Sequence, residues 1–157
     1  MMTMAEIGDL ARAELDRHGL TDWSFDWDRA VRRAGCCHYR QRLITLSWPI
    51  FAIEANRADA LDTILHEIAH ALAGADAGHG PWWRVNAMEV GARPERCHYL
   101  ATPKRVSGEC GCDRAHLRST MPGSGRRFRC KTCGELVRWR RLGGGDDPHP
   151  DQLTLGL

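Results

Sequence analysis

Two histidines four residues apart bracket a glutamate in the run His66-Glu67-Ile68-Ala69-His70. On a helix this spacing projects both imidazoles from one face, where they can bind a single Zn2+ ion. Glu67 lies too far round the helix to be the obvious third ligand, and stands instead beside a water on such an ion. Zinc lowers the pKa of that water toward about 7, and a neighbouring carboxylate then takes its proton as the oxygen attacks a carbonyl. The competing reading is a surface helix with two solvated histidines. Against it, the flanking Ile64, Leu65, Ile68, Ala69 and Leu72 are apolar and mark a buried helix. Buried imidazoles and a buried carboxylate need partners, and a metal supplies them.

A catalytic zinc takes a third protein ligand and keeps a fourth position open. The compact metzincin spacing requires glycine at 73 and histidine at 76, where this chain has Ala73 and Asp76. The candidates are His79, Asp76 and Glu89, and spacing alone does not choose among them. A second cluster follows, Cys110-x-Cys112 and Cys130-x-x-Cys133-Gly134, with 17 residues between its halves. Four thiolates in two pairs suit a structural zinc ribbon, and without metal this loop-rich segment has no core of its own. The Cys-x-Cys half is tight, so His116 is an alternative ligand to one of its thiols. Cys36, Cys37 and Cys97 stand outside the set and read as buried thiols.

Charge is distributed unevenly. Residues 1–100 carry 11 Lys/Arg against 14 Asp/Glu, residues 101–142 carry 11 against 3, and residues 143–157 carry three Asp and no base. Within the basic segment Arg126, Arg127, Arg129, Lys131, Arg138, Arg140 and Arg141 interleave with Phe128 and Trp139. The pattern suits a nucleic-acid surface, with arginines on phosphates and bases stacked on aromatics, single strands preferred. It equally suits a solvated face over a small core built from the two aromatics. Trp82 and Trp83 read as core or pocket wall.

The elements that must hold these residues are legible in outline. Thr3-x-x-Glu6 is a capping box, and Met4, Ile7, Leu10 and Leu15 share a face, so a helix spans about 4–18 and ends near Gly19. Trp23, Phe25 and Trp27 alternate with polar residues as a strand does, and so do Ile44, Leu46 and Trp48, with a basic turn through Arg32, Arg33 and Gly35 between them. Asn56 caps a second helix over about 57–73, closed by Gly74. Pro81 opens a third, with Trp83, Ala87 and Val90 inward, which stops at Gly91. At 157 residues and 43% hydrophobic, the chain accommodates one modest core and a small appendage. No run approaches the roughly 20 apolar residues of a membrane span. The acidic first thirty residues hold no secretory signal, so a soluble cytoplasmic protein is expected, and an odd count of seven cysteines suits metal better than disulfides.

His66-Glu67-x-x-His70 followed by His79-Gly80-Pro81-x-Trp83 resembles the SprT-like metallopeptidase family, which includes proteases that cut DNA–protein crosslinks. Gly35-x-Cys37-x-Tyr39 and Ile44-Thr45-Leu46-Ser47 resemble that family's lead-in to the catalytic helix, so the likeness runs from about Trp27 to His98. The resemblance implies His79 as third ligand, a small sheet with a few helices, protein substrates, a role in DNA repair, and a C-terminal ribbon of the kind found in bacterial and viral members. The expectation is therefore an α+β protein: a small antiparallel sheet with an active-site helix over 1–104, a zinc ribbon over 105–142 and a flexible tail over 143–157. Zn2+ is expected at His66, His70 and His79, and again at Cys110, Cys112, Cys130 and Cys133, with Glu67 as general base. Rival readings are a non-enzymatic nucleic-acid-binding zinc protein on the same scaffold and a hydrolase of a non-peptide bond.

Overall fold

The computed structural model describes residues 2–95 and 100–143. Cys97 and residues 144–157 of the expected tail lie outside the described residues. The chain divides into two compact units between Ala101 and Thr102.

In the first unit, α1 spans Met4–Arg17 and opens on the capping box: the Thr3 hydroxyl accepts from the Glu6 N–H at 3.2 Å, and the Thr3 N–H donates to Glu6 Oε2 at 2.6 Å. Ile7, Ala11 and Leu15, four residues apart, form its buried stripe. Three strands follow, β1 Ser24–Asp28, β2 Gly35–His38 and β3 Leu43–Ser47, in the spatial order β1-β3-β2. The sheet is mixed, where an antiparallel one was expected. β2 pairs antiparallel with β3, Cys37 opposite Ile44, whereas β1 pairs parallel with β3, Phe25 opposite Ile44. The cause is an extra reversal: the segment that reads as a basic turn contains β2. The chain therefore doubles back twice, and β3 inserts between its predecessors running in the direction of β1.

β3 stops at Ser47, before the expected Trp48. The Ser47 hydroxyl accepts from the Ile50 N–H at 3.1 Å and caps the short helix α2, Trp48–Phe51, with Pro49 in its first turn. A 3-10 turn over Glu54–Asp59 leads into α3, Ala60–Ala73. Asn56 does not cap this helix. Its side chain donates to the Ile50 and Ala101 carbonyls at 2.7 and 2.8 Å and accepts from the Ala101 N–H at 3.0 Å, tying down the end of the unit. Asp59 stands at the cap position, and its carbonyl accepts from the Thr63 hydroxyl.

α3 is the central element, touching α1, β2, β3 and the next helix. Ile64, Ile68 and Ala69 are completely buried, while Leu61 and Leu72 face outward. Each fully buried Ile or Leu of this kind contributes about 1.5–3 kcal/mol. α4, Pro81–Val90, starts on its proline, buries Trp83, Ala87 and Val90, and ends at Gly91. Arg93 then returns to α3, donating through its N–H and side chain to Asp62 and through its guanidinium to Asp59 at 2.6 Å.

The second unit has β4 Val106–Glu109, β5 His116–Arg118 and β6 Arg138–Arg141 in the order β5-β4-β6, antiparallel throughout. Its buried apolar residues are Val106, Cys130 and Val137. An interior this small supplies little hydrophobic stabilisation by itself. Among the described residues no helix is long and apolar enough to cross a membrane.

Candidate functional site

α3 presents His66 and His70 from adjacent turns of one face, as the four-residue spacing requires. After it, Gly74 caps the helix and a 3-10 turn spans Ala75–Ala77. Gly78, at φ 51°, then turns the chain back in a conformation that favours glycine. His79 is thereby returned to the helix face. Its Nε2 lies 3.1 Å from Nε2 of His66 and 3.0 Å from Nε2 of His70. Asp76 and Glu89, the other candidates for this position, are exposed to solvent and stand outside the cluster.

Three imidazole nitrogens converging on one point fit a zinc ion. Ligands at about 2.0–2.1 Å in a tetrahedral arrangement stand roughly 3.3 Å apart, close to the separations found. Burial and the neighbouring His79 push the His70 imidazole down to about 4, so it is neutral, the form a metal needs. The indole of Trp83, fully buried, packs against all three rings with centroid separations of 4.7, 5.3 and 4.6 Å to His66, His70 and His79.

Glu67 points from α3 toward β2. Burial drives its carboxyl up to about 8; the Arg33 guanidinium opposes the rise, Asp28 adds to it, and the Cys37 backbone N–H donates to the carboxylate. The close approach depends on Gly35, where an added Cβ would fall 2.7 Å from Oε1 and 2.8 Å from Cγ of Glu67. Arg33 is itself held at 2.6 Å by Asp28, which also accepts from the Thr45 hydroxyl at 2.7 Å.

An open cleft of about 410 Å³ runs over this site, walled by β2 and the turn before it on one side and by His66, Glu67, His70 and His79 on the other. Cys36 and Cys37, expected as buried thiols, are half-buried and line this cleft, Cys37 also packing against the core, and burial raises both, Cys37 to about 12. Tyr39 also lines the cleft, its hydroxyl 3.5 Å from Nδ1 of His70. Burial, with the Cys37 and Glu67 charges behind it, lifts the phenol to about 12. Sequence reasoning assigned no role in the site to Gly35, Arg33 or Tyr39. The available signal was the period-two spacing of Gly35, Cys37 and Tyr39, which marks one face of an extended segment.

In the second unit the four thiols of Cys110, Cys112, Cys130 and Cys133 lie within 4.8 Å of one another. The Cys110–Cys112 and Cys112–Cys130 sulfur separations are 3.6 and 3.7 Å, near the roughly 3.8 Å of sulfurs placed tetrahedrally at about 2.3 Å from zinc. The Cys133 N–H, opposed by burial and helped by the Thr132 N–H, holds the Cys130 thiol down to about 5. His116 stands beside the set, its Nε2 3.4 Å from Cys110 Sγ. Arg126, Arg127, Arg129, Lys131, Arg138, Arg140 and Arg141 are all exposed. Phe128 and Trp139 are half-buried and pack edge to face at 5.9 Å, with the Arg118 guanidinium 4.8 and 5.6 Å from their rings. The aromatic pair is thus engaged within the second unit, while these arginines and Lys131 face outward.

Among known proteins, the SprT-like family profile matches residues 6–104, more than half of the chain. No curated protein and no solved structure matches it.

Proposed function

The chain belongs to the SprT-like family, a family of metallopeptidase-like domains, and on that premise we propose that it is a zinc-dependent endopeptidase acting on proteins associated with nucleic acid. The observation that carries the reading is the convergence of His66, His70 and His79 beside a buried glutamate at the floor of an open cleft. These three histidines would hold the ion, and Trp83 keeps their rings from turning away. Bound zinc would supply a Lewis acid that polarises a carbonyl and acidifies water. Glu67 takes a proton from the attacking water as its oxygen adds to the peptide carbonyl carbon. The protonated carboxyl, which its burial favours, then delivers that proton to the departing amine nitrogen. Cys37 and Gly35 keep the carboxylate in place, the first by its N–H and the second by leaving room.

Cys110, Cys112, Cys130 and Cys133 would hold a second, structural zinc, replacing the core that the ribbon lacks. The exposed arginines of that unit suit the backbone of nucleic acid, single strands in particular, and would bring the protease to its substrates. The test is cleavage of an unfolded protein and of a DNA-crosslinked protein by the zinc-loaded full chain, with and without single-stranded DNA, against Glu67→Gln. Cleavage by the wild type alone, increased by DNA, is expected. Zinc-loaded wild type that binds DNA and cuts neither substrate would favour the non-enzymatic reading.

A further inference from the structure

Peptide hydrolysis moves the carbonyl π pair onto oxygen when water adds, and a preorganised donor aimed at that oxygen is worth much of the rate. Resting on the peptidase reading above, we propose that Tyr39 is a catalytic residue whose phenol hydroxyl donates a hydrogen bond to the carbonyl oxygen of the scissile peptide. In the step concerned, the water oxygen bonds to the carbonyl carbon and one water proton passes to Glu67. The C–N bond then breaks as that proton moves to the amine nitrogen. Tyr39 keeps its own proton throughout and only shares it with the oxygen while that atom is charged.

The phenol is placed by the fold. Tyr39 follows directly on β2 and opens a 3-10 turn over Tyr39–Gln41, whose close is fixed by the Arg42 N–H donating to the Tyr39 carbonyl at 3.3 Å. The hydroxyl reaches the cleft beside His70, the imidazole whose Nε2 faces His79. Its contact with His70 Nδ1, at 3.5 Å, is at the long limit of a hydrogen bond, and its other partner is the Cys37 thiol, a weak one. The hydroxyl proton is therefore free to serve a better acceptor. Other donors lining the cleft serve less well. The Arg33 guanidinium is committed to Asp28 at 2.6 Å, Arg32 is exposed, and the thiols of Cys36 and Cys37 are poor donors.

The experiment compares zinc-loaded full-length wild type with Tyr39→Phe in three readouts: bound zinc, hydrolysis of a peptide, and calorimetric binding of the same peptide carrying a phosphinate in place of the scissile amide. The phosphinate oxygens bear charge where the carbonyl oxygen acquires it. Tyr39→Phe is expected to keep its zinc and KM, lose about 100-fold in kcat, and bind the phosphinate weaker by a similar factor. Unchanged phosphinate affinity would overturn the proposal. So would loss of zinc, which would make Tyr39 a positioning residue for His70. Wild type that cleaves no peptide would sink the peptidase reading, while the binding comparison would still decide whether Tyr39 meets an anion.

Discussion

Glu67 illustrates how a single carboxyl is tuned by what surrounds it. It is buried, raised to about 8, and held by one N–H against a glycine that has no Cβ. Glu67→Gln keeps the shape and removes the proton acceptor, so zinc content should match wild type while kcat falls by about 10²–10⁴. An active Glu67→Gln protein would reject the mechanism. Gly35→Ala probes the same residue from the opposite wall. The new methyl would meet Glu67 at 2.7–2.8 Å, and burial leaves that side chain little room to swing aside. The expected outcome is a loss of about 1–3 kcal/mol in stability by denaturant titration, together with reduced kcat and unaltered metal content. Wild-type kcat in the Gly35→Ala variant would show that Glu67 tolerates displacement.

Elements rather than residues decide where the third imidazole comes from. The turn at 74–80 returns His79 to the face of α3, whereas Asp76 points into solvent on the same turn and Glu89 does so on α4. His79→Ala should therefore weaken zinc binding at this site by orders of magnitude, and Asp76→Ala and Glu89→Ala should leave it near wild type, as measured by competition with a chromophoric chelator. A damaging Glu89→Ala would move the third ligand to α4. Much of this scale was legible in the sequence where the signal is local. The Thr3/Glu6 box, Gly74 and Gly91 as helix ends, Pro81 as a helix start and the His66/His70 pair each depend on a few neighbouring residues. Long-range features were not legible. β2 was hidden because Arg32, Arg33 and Gly35 read as a turn, and its insertion reverses the β1–β3 pairing from the one expected. Asn56 looks like a helix cap until Ala101, 45 residues away, claims its amide. His79 was one of three candidates by spacing, and only the family resemblance singled it out. The Gly35–Glu67 approach and the reach of Tyr39 to His70 are products of packing that no local pattern encodes.

At the scale of the whole molecule, the chain joins two compact units whose clusters of candidate ligands differ, imidazole nitrogens in one and thiol sulfurs in the other. Full-length protein should hold about two zinc ions per chain, and residues 1–101 alone about one. A full-length preparation that never exceeds one after reconstitution would count against the ribbon site. The arginine face gives a separate test. Replacing Arg126, Arg127 and Arg129 together with alanine should weaken single-stranded DNA binding and flatten its log K against log salt slope by about 2, at roughly 0.7 per lost contact, with zinc unchanged. An unaltered slope would locate DNA binding elsewhere or show that there is none.

Trp83 carries one more consequence. Its indole lies within 4.6–5.3 Å, centroid to centroid, of all three imidazoles and is sealed from water. A divalent cation bound by the nitrogens of those rings would place its charge beside the indole and alter its emission. The difference in fluorescence between wild type and Trp83→Phe, which subtracts the other tryptophans, is thus a built-in optical gauge of metal arrival. It would allow occupancy to be followed in real time by stopped flow, before any substrate is present.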